Sequence, residues 1–345
     1  MRIFSYRNKR TLRRIALIVL LAAVLLGLLI LARISYLGRY AVYSPDGVYF
    51  DKTQKLQRAP QTPADTPDAE EYPFETILSA AAEETETDPN AMQLQGFYIS
   101  TTMLANSVDE VRQALADADG YNAVLIDVKS PLGNFYYSTD IADAQTADAD
   151  IAACDALIKE LTETPDLIVI ARVPAFSDPN FVAKHYSSAL TTKSGDLWMD
   201  ERRCYWLRPD SLDARSYLAA IALELDARGF DEVLFDNFTV PDDDSVAWDT
   251  EAMTQVAALE DCAETLGANL TGSSIRLALG TTVPSVAQYA SRVYVTTEKA
   301  NDVMTVTEAM REVLPDASTQ LVFVTTSHDT RFDAAGVIRP LLGGE

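Results

Sequence analysis

The sequence predicts an α/β protein, a (β/α)8-type barrel behind an N-terminal apolar segment, and three observations carry that reading. From residue 92 onward, apolar runs of strand length alternate with amphipathic helical stretches, the pattern of a parallel sheet covered on both faces. The first run is followed by TTMLANS, without the glycine-rich phosphate turn that an open doubly wound sheet places there. Polar residues end several runs, as they do on the functional face of a barrel. Those ends are Ser100, Asp127 with Lys129, Arg172, Asp236 with Asn237, and Thr296 to Glu298.

In chain order the strand runs are LQGFYIS, NAVLIDV, DLIVIARV, DEVLFD, IRLALG, RVYVTT and LVFVTT. Between them lie SVDEVRQALADA, DADIAACDALIKELTE, LDARSYLAAIALELDARG, DTEAMTQVAALEDCAETLG and NDVMTVTEAMREVL, each with helical spacing of its apolar residues. Ser107 and Glu110 have capping-box spacing at the first of these helices. Seven strands are clear. GVIRPLL near the end is a poor match for an eighth, which leaves room for a barrel incomplete at its C-terminus.

Ahead of the barrel, IALIVLLAAVLLGLLILA at residues 15–32 is an unbroken apolar run, close to the roughly 20 residues of a membrane-spanning helix. Six basic residues precede it and Arg33 and Arg39 follow, so the N-terminus is expected in the cytoplasm and the body outside it. A cleaved signal peptide is the competing reading. Its apolar core is usually about 7–15 residues with a small-residue cleavage site, and LARISYLGRY offers none. The expected organisation is a basic tail at 1–14, a transmembrane anchor at 15–32, a juxtamembrane and linker segment at 33–91, and the barrel at 92–345. Within the linker, AVYSPDGVYFD reads as a short turn and strand, and the Pro-, Thr- and acid-rich stretch from 52 to 90 as a spacer holding one short helix, FETILSAAA.

Charge separates the two parts. Residues 1–40 carry eight of the 28 basic side chains and no acid, so the rest of the chain sets 20 basic groups against 51 acidic ones. Such a body repels nucleic acid, whose phosphates need Lys and Arg. Cys154, Cys204 and Cys262 are too few and scattered for a disulfide framework or zinc site. With His185 and His328 as the two histidines, a histidine metal centre has no ligand set, and no metal or other cofactor is expected. No G-x-S-x-G elbow is present for a serine nucleophile.

The strand ends carry the chemistry. A carboxylate at the end of an apolar strand, as Asp236 is in FDEVLFDNFTVP, costs several kcal/mol to bury unless paired, so it either caps a turn or is aimed at something. In NAVLIDVK the period of two sends Asp127 and Lys129 to one side, where they fit either a pair at the mouth or a structural ion pair. Arg172 fits two roles, a planar fork for a ligand carboxylate or a salt bridge to Asp127 or Asp236. Trp198, Tyr205 and Trp206 sit in a polar insertion after the third strand, where rings either stack on ligands or fill loop cores. Tyr98, Tyr136 and Tyr137 read more as packing.

QGFYIS, YNAVLIDVKSPLGNFYYS, LIVIARVPAFSDPNF, GDLWMDERRCYWLRPDS and GFDEVLFDNFTVP, in that order over about residues 94–283, resemble the putative glycosyl hydrolase domain family. These are bacterial, often membrane-anchored TIM-barrel proteins. The family's fourth strand ends in Asp-Tyr-Val-Arg-Phe-Pro; Asp236 and Pro241 match it, while Asn237 to Val240 replace its middle. WLRPD and VYVTTEK likewise depart from the family's pattern. The resemblance implies a barrel acting on a polysaccharide or cell-wall glycan through two carboxyl groups, with a non-catalytic glycan-binding scaffold as the alternative. On its own chemistry Asp236 fits the nucleophile or stabiliser, and its partner is Asp127, Glu298 or Asp329. Of these Glu298, outside the matched stretch, has the type of an acid whose pKa its surroundings raise. Lys129, Arg172, Trp198, Trp206, Asn237 and Asp329 are the expected substrate contacts.

Overall fold

A computed structural model describes residues 41–44, 47–50 and 92–342. The chain forms two units, residues 1–81 and 82–345. In the first, Ala41–Ser44 pairs antiparallel with Gly47–Phe50, the turn-and-strand segment expected there. The apolar run at 15–32, the spacer and FETILSAAA lie outside the described residues. Among the described residues, no helix is long and apolar enough to cross a membrane.

The second unit is a closed barrel of eight parallel strands. They are β1 (Gln95–Ile99), β2 (Ala123–Asp127), β3 (Ile168–Pro174), β4 (Glu232–Asp236), β5 (Arg276–Leu279), β6 (Arg292–Thr296), β7 (Leu321–Val324) and β8 (Gly336–Pro340). The expected incomplete end is corrected by β8, which pairs with β7 through Val322↔Gly336 and closes the ring on β1 through Val337↔Gln95. Its sequence reads poorly because Gly336, Arg339 and Pro340 are all untypical of a buried strand. Gly336 sits where a Cβ would stand 2.9 Å from Val322 Cγ2. Arg339 faces outward, its Nε donating to Ser327 O at 3.0 Å.

Helices cover the strands, and most start on a side chain able to accept a free N–H. Asp150, Ser211 and Thr254 cap Ile151–Thr162, Leu212–Ala227 and Gln255–Asn269. TTMLANS, after β1, forms a helix of its own, Thr101–Asn106, capped by Ser100. That extra turn undoes the expected capping box. Ser107 ends one helix and begins the next, Val108–Asp117, and makes no side-chain cap bond.

Period-two alternation builds two cores. Outward residues such as Val124, Ile126, Val169 and Val233 pack under the helices. Inward ones, among them Leu125, Ile170, Leu234, Ala278, Val322 and Ile338, fill the barrel. Burying each large aliphatic side chain contributes about 1.5–3 kcal/mol. Lower in the barrel, Glu232 is fully buried and meets Arg292, Arg276 at 3.1 Å and the Tyr294 hydroxyl at 2.9 Å. Asp231 accepts the Val169 N–H at 2.8 Å. Two of the three acids in FDEVLFD are therefore structural, and the third faces the mouth.

Candidate active site at the barrel mouth

Asp127 and Asp236 end β2 and β4, and Arg172 stands two residues before the end of β3, all three in the inward phase. Register pairs Asp127 with Arg172 and Pro174 with Asp236. The Arg172 guanidinium clamps Asp127 from two nitrogens, Nε at 2.6 Å from Oδ1 and Nη2 donating to Oδ2 at 3.0 Å. The Nε approach is off the N–H axis, so buried Oδ1 has an ionic contact without an aligned hydrogen bond. The same Nε lies 3.9 Å from Asp236 Oδ2. The two carboxylate oxygens that flank it are thus no farther apart than the sum of the 2.6 Å and 3.9 Å contacts.

The two carboxylates differ in their surroundings. Asp127 is buried, and burial pushes its carboxyl pKa up against the pull of Arg172, with the charge of Asp236 adding to the rise. Burial disfavours the charge on Arg172 too, but Asp127 and Asp236 outweigh it and hold that pKa up. The Asp236 side chain is 23% exposed, and Arg172 is the one cation within salt-bridge range of it among the described residues. Asp236 lines a cavity of about 230 Å³ with Asn237, Thr239, Gly280 to Val283, and Tyr294 to Thr296.

Two further cavities adjoin this one. Through Asn237 it shares a residue with a cavity of about 280 Å³ lined by Pro131, Pro174, Ser177, Asp200, Glu201, Arg202 and Trp206. Through Thr296 it shares one with a cavity of about 140 Å³ lined by Tyr98, Arg172, Glu298 and Val324 to Thr326. Asn237 adopts a left-handed backbone, φ 51°, which Asn tolerates better than most residues. The chain therefore turns sharply at once after Asp236.

The other expected contacts divide. Trp206 lines the second cavity, its indole N–H held by Asp200 Oδ2 at 3.0 Å. Trp198 is a loop-core residue instead: it is buried with Leu190 and Val246, and its N–H donates to Asp243. Lys129 is also corrected. It is 2% exposed and meets Asp178 at 2.9 Å, out of reach of a ligand and not paired with Asp127. The strand ends at Asp127, and Lys129 bridges antiparallel to Phe135, so period two no longer governs its direction. Asp329 caps its own turn and is held by Arg331 at 2.6 Å, which lowers its pKa to about 2; it lines none of these three cavities.

Glu298 reaches the mouth, but its surroundings act opposite to expectation. The Thr326 hydroxyl at 2.6 Å lowers its pKa, and the Thr326 N–H and the Thr325 hydroxyl add to the effect. Hydrogen bonds to the charged form favour it, so Glu298 is held as a carboxylate. Tyr98, read as packing, lines the third cavity, with the Arg172 guanidinium 5.8 Å from its ring centre. Gly280, also unforeseen, sits against Asp236; the inward phase of Arg276 and Ala278 on β5 was the available signal. Among the described residues no group of His, Cys, Asp and Glu is placed to hold a metal ion.

The sequence model of the putative glycosyl hydrolase domain matches residues 96–313. No curated protein matches the sequence. Among similar solved structures is a hypothetical protein from Ruminiclostridium thermocellum, 24% identical, covering 53% of this chain and 96% of that one with a TM-score of 0.46. Ega3 from Aspergillus fumigatus, solved with galactosamine, is 13% identical over 72% and 92%, TM-score 0.45. An inactive mutant of the exo β-N-acetylglucosaminidase of Vibrio harveyi is 8% identical, with a TM-score of 0.50. That alignment covers 72% of this chain and 50% of the Vibrio enzyme. At 8% identity the likeness to the Vibrio enzyme is one of fold.

Proposed function

This chain belongs to the putative glycosyl hydrolase domain family, and on that premise we propose that it acts on a polysaccharide or cell-wall glycan by carboxylate chemistry outside the cytoplasm. The observation that carries the reading is Asp236, an inward carboxylate at the end of β4, facing a cavity with its nearest cation 3.9 Å away. Asp236 attacks or stabilises the anomeric carbon. Asp127 is its partner, because burial raises its pKa, the direction a proton donor needs. The sum of the two Arg172 contacts bounds their oxygens near the lower end of the inverting separation, about 6.5–9.5 Å, and admits the retaining one of about 5–5.5 Å.

Charge narrows the glycan. Asp200, Glu201, Asp236 and Glu298 line the three cavities against Arg172 and Arg202. An excess of carboxylates repels uronate- or phosphate-bearing polymers and favours neutral or amine-bearing sugars. The test is a glycan-binding screen of the full chain in detergent, then hydrolysis assays of wild type and Asp236→Asn on every glycan bound. Turnover by the wild type, lost in the variant with binding kept, supports the reading; no turnover on any bound glycan overturns it.

The grip of Arg172 on Asp127 favours a second reading. A carboxylate held from two nitrogens has to leave its partner before it can donate a proton, which suits a glycan-binding scaffold without turnover. In either case residues 15–32 are proposed as the anchor, with the basic tail inside. Protease added outside intact, wall-permeabilised cells should then cut the body; complete protection would count against that topology.

A further inference from the structure

Asp236 stands against a residue that has no side chain. Gly280 follows Leu279 at the end of β5, in the inward phase of Arg276 and Ala278. A Cβ at Gly280 would lie 2.6 Å from Asp236 Oδ1, 3.0 Å from Asp236 Cα and 3.1 Å from Asn237 N. Gly280 has no room to withdraw, because its N–H donates to Phe235 O and its own carbonyl accepts the Phe238 N–H, both at 2.9 Å. These bonds pin it to the chain on either side of Asp236. Its φ lies outside the left-handed region, so what glycine supplies here is space and not backbone freedom.

We propose that Gly280 is a positioning residue, whose missing side chain sets where the Asp236 carboxylate stands in the mouth cavity. The inference rests on the reading of Asp236 as the reacting carboxylate. Of the three atoms a methyl would meet, Oδ1 is the nearest and the one on a rotatable side chain. It yields first, while the two backbone atoms need to give by a few tenths of an ångström. A methyl at Gly280 therefore turns the carboxylate and shifts the end of β4 by no more than those few tenths of an ångström. Misplacement of a reacting group by about 1 Å costs on the order of 100-fold in rate.

The test uses the full chain with Gly280→Ala, on a glycan that the wild type hydrolyses. The expected result is a kcat lower by on the order of 100-fold, with KM and melting temperature little changed. A crystal structure of the variant should show the Arg172 Nε–Asp236 Oδ2 contact displaced from 3.9 Å. A loss expressed wholly in KM would mean that the methyl blocks the cavity, and it overturns the proposal. So does an unmoved Asp236. If Gly280→Ala does not fold, the double variant with Asp236→Ala should fold again; failure to recover makes Gly280 a structural residue and likewise overturns the proposal. If the wild type hydrolyses nothing, the hydrolytic reading fails, and the displacement of Asp236 in the variant crystal decides the positioning claim by itself.

Discussion

Lys129 meets Asp178, with Nζ 2.9 Å from Oδ2 and both side chains 1% exposed. Asp178 also accepts the Tyr217 hydroxyl at 2.8 Å and the Phe181 N–H at 2.8 Å, capping Pro179–Lys184. One carboxylate thus holds the loop after β2, the insertion after β3 and the helix before β4. Asp178→Ala leaves the Lys129 ammonium buried and unpaired, at a cost of about 3–5 kcal/mol. Urea unfolding of the variant should show a loss of that size; a loss under about 1 kcal/mol would mean that Lys129 finds another partner.

Asp127 and Asp236 should separate in stability as well as in chemistry. Asp236 lies 3.9 Å from its cation and is partly exposed, so Asp236→Asn should change stability by less than about 1 kcal/mol, as solvent-screened pairs do. Asp127→Asn breaks a buried ion pair held by one aligned hydrogen bond and should cost about 1–3 kcal/mol. Melting curves of the two variants side by side check the order, and a reversed order contradicts the geometry.

Asp329 links the turn after β7 to acid stability. Its pKa is lowered from 3.8 to about 2, chiefly by the Arg331 side chain. A depressed folded pKa contributes stability above the unfolded value and loses it as pH falls through the folded one. The difference in melting temperature between wild type and Asp329→Asn should therefore be constant above about pH 5 and shrink as pH falls from 3.8 towards about 2. A difference that grows on acidification would reverse the sign.

The three free cysteines are buried, and burial pushes the thiols up, to about 11 for Cys154 and about 12 for Cys262. The thiolate is the reactive form. Iodoacetamide at neutral pH should label none of them in the native protein and all three in denaturant, as counted by intact mass. Fast native labelling of Cys154 or Cys262 would show that the helices carrying them open locally.

Most of the barrel was legible because its signals are local. Seven apolar runs, the helical spacing between them and the polar residues at their ends follow from side chains within a few positions of one another. The polar residues expected at strand ends included Asp127, Arg172 and Asp236, and all three do stand at the mouth. The eighth strand escaped because its identity comes from its neighbours. Gly336 and Arg339 fit there by what surrounds them, a close Val322 on one side and an acceptor on Ser327 on the other.

Which cation meets which carboxylate was decided by the tertiary structure. Coulomb attraction does not distinguish Lys129 from Arg172 as a partner for Asp127; the end of β2 does, since the chain leaves the barrel wall before Lys129 and returns it to Asp178. The Glu298 pKa was set in the same way, by Thr326 and Thr325, just past the end of β7 and 28 and 27 residues on. Trp198 was drawn into a loop core by Leu190 and Val246. The space that Asp236 occupies belongs to Gly280, just past the end of the next strand. By itself the sequence determined that carboxylates would gather at one end of a barrel, because strand phase and strand end are properties of short stretches. Partner, protonation and aim depend on atoms brought together by closure of the ring, and no spacing within a single strand encodes those distances.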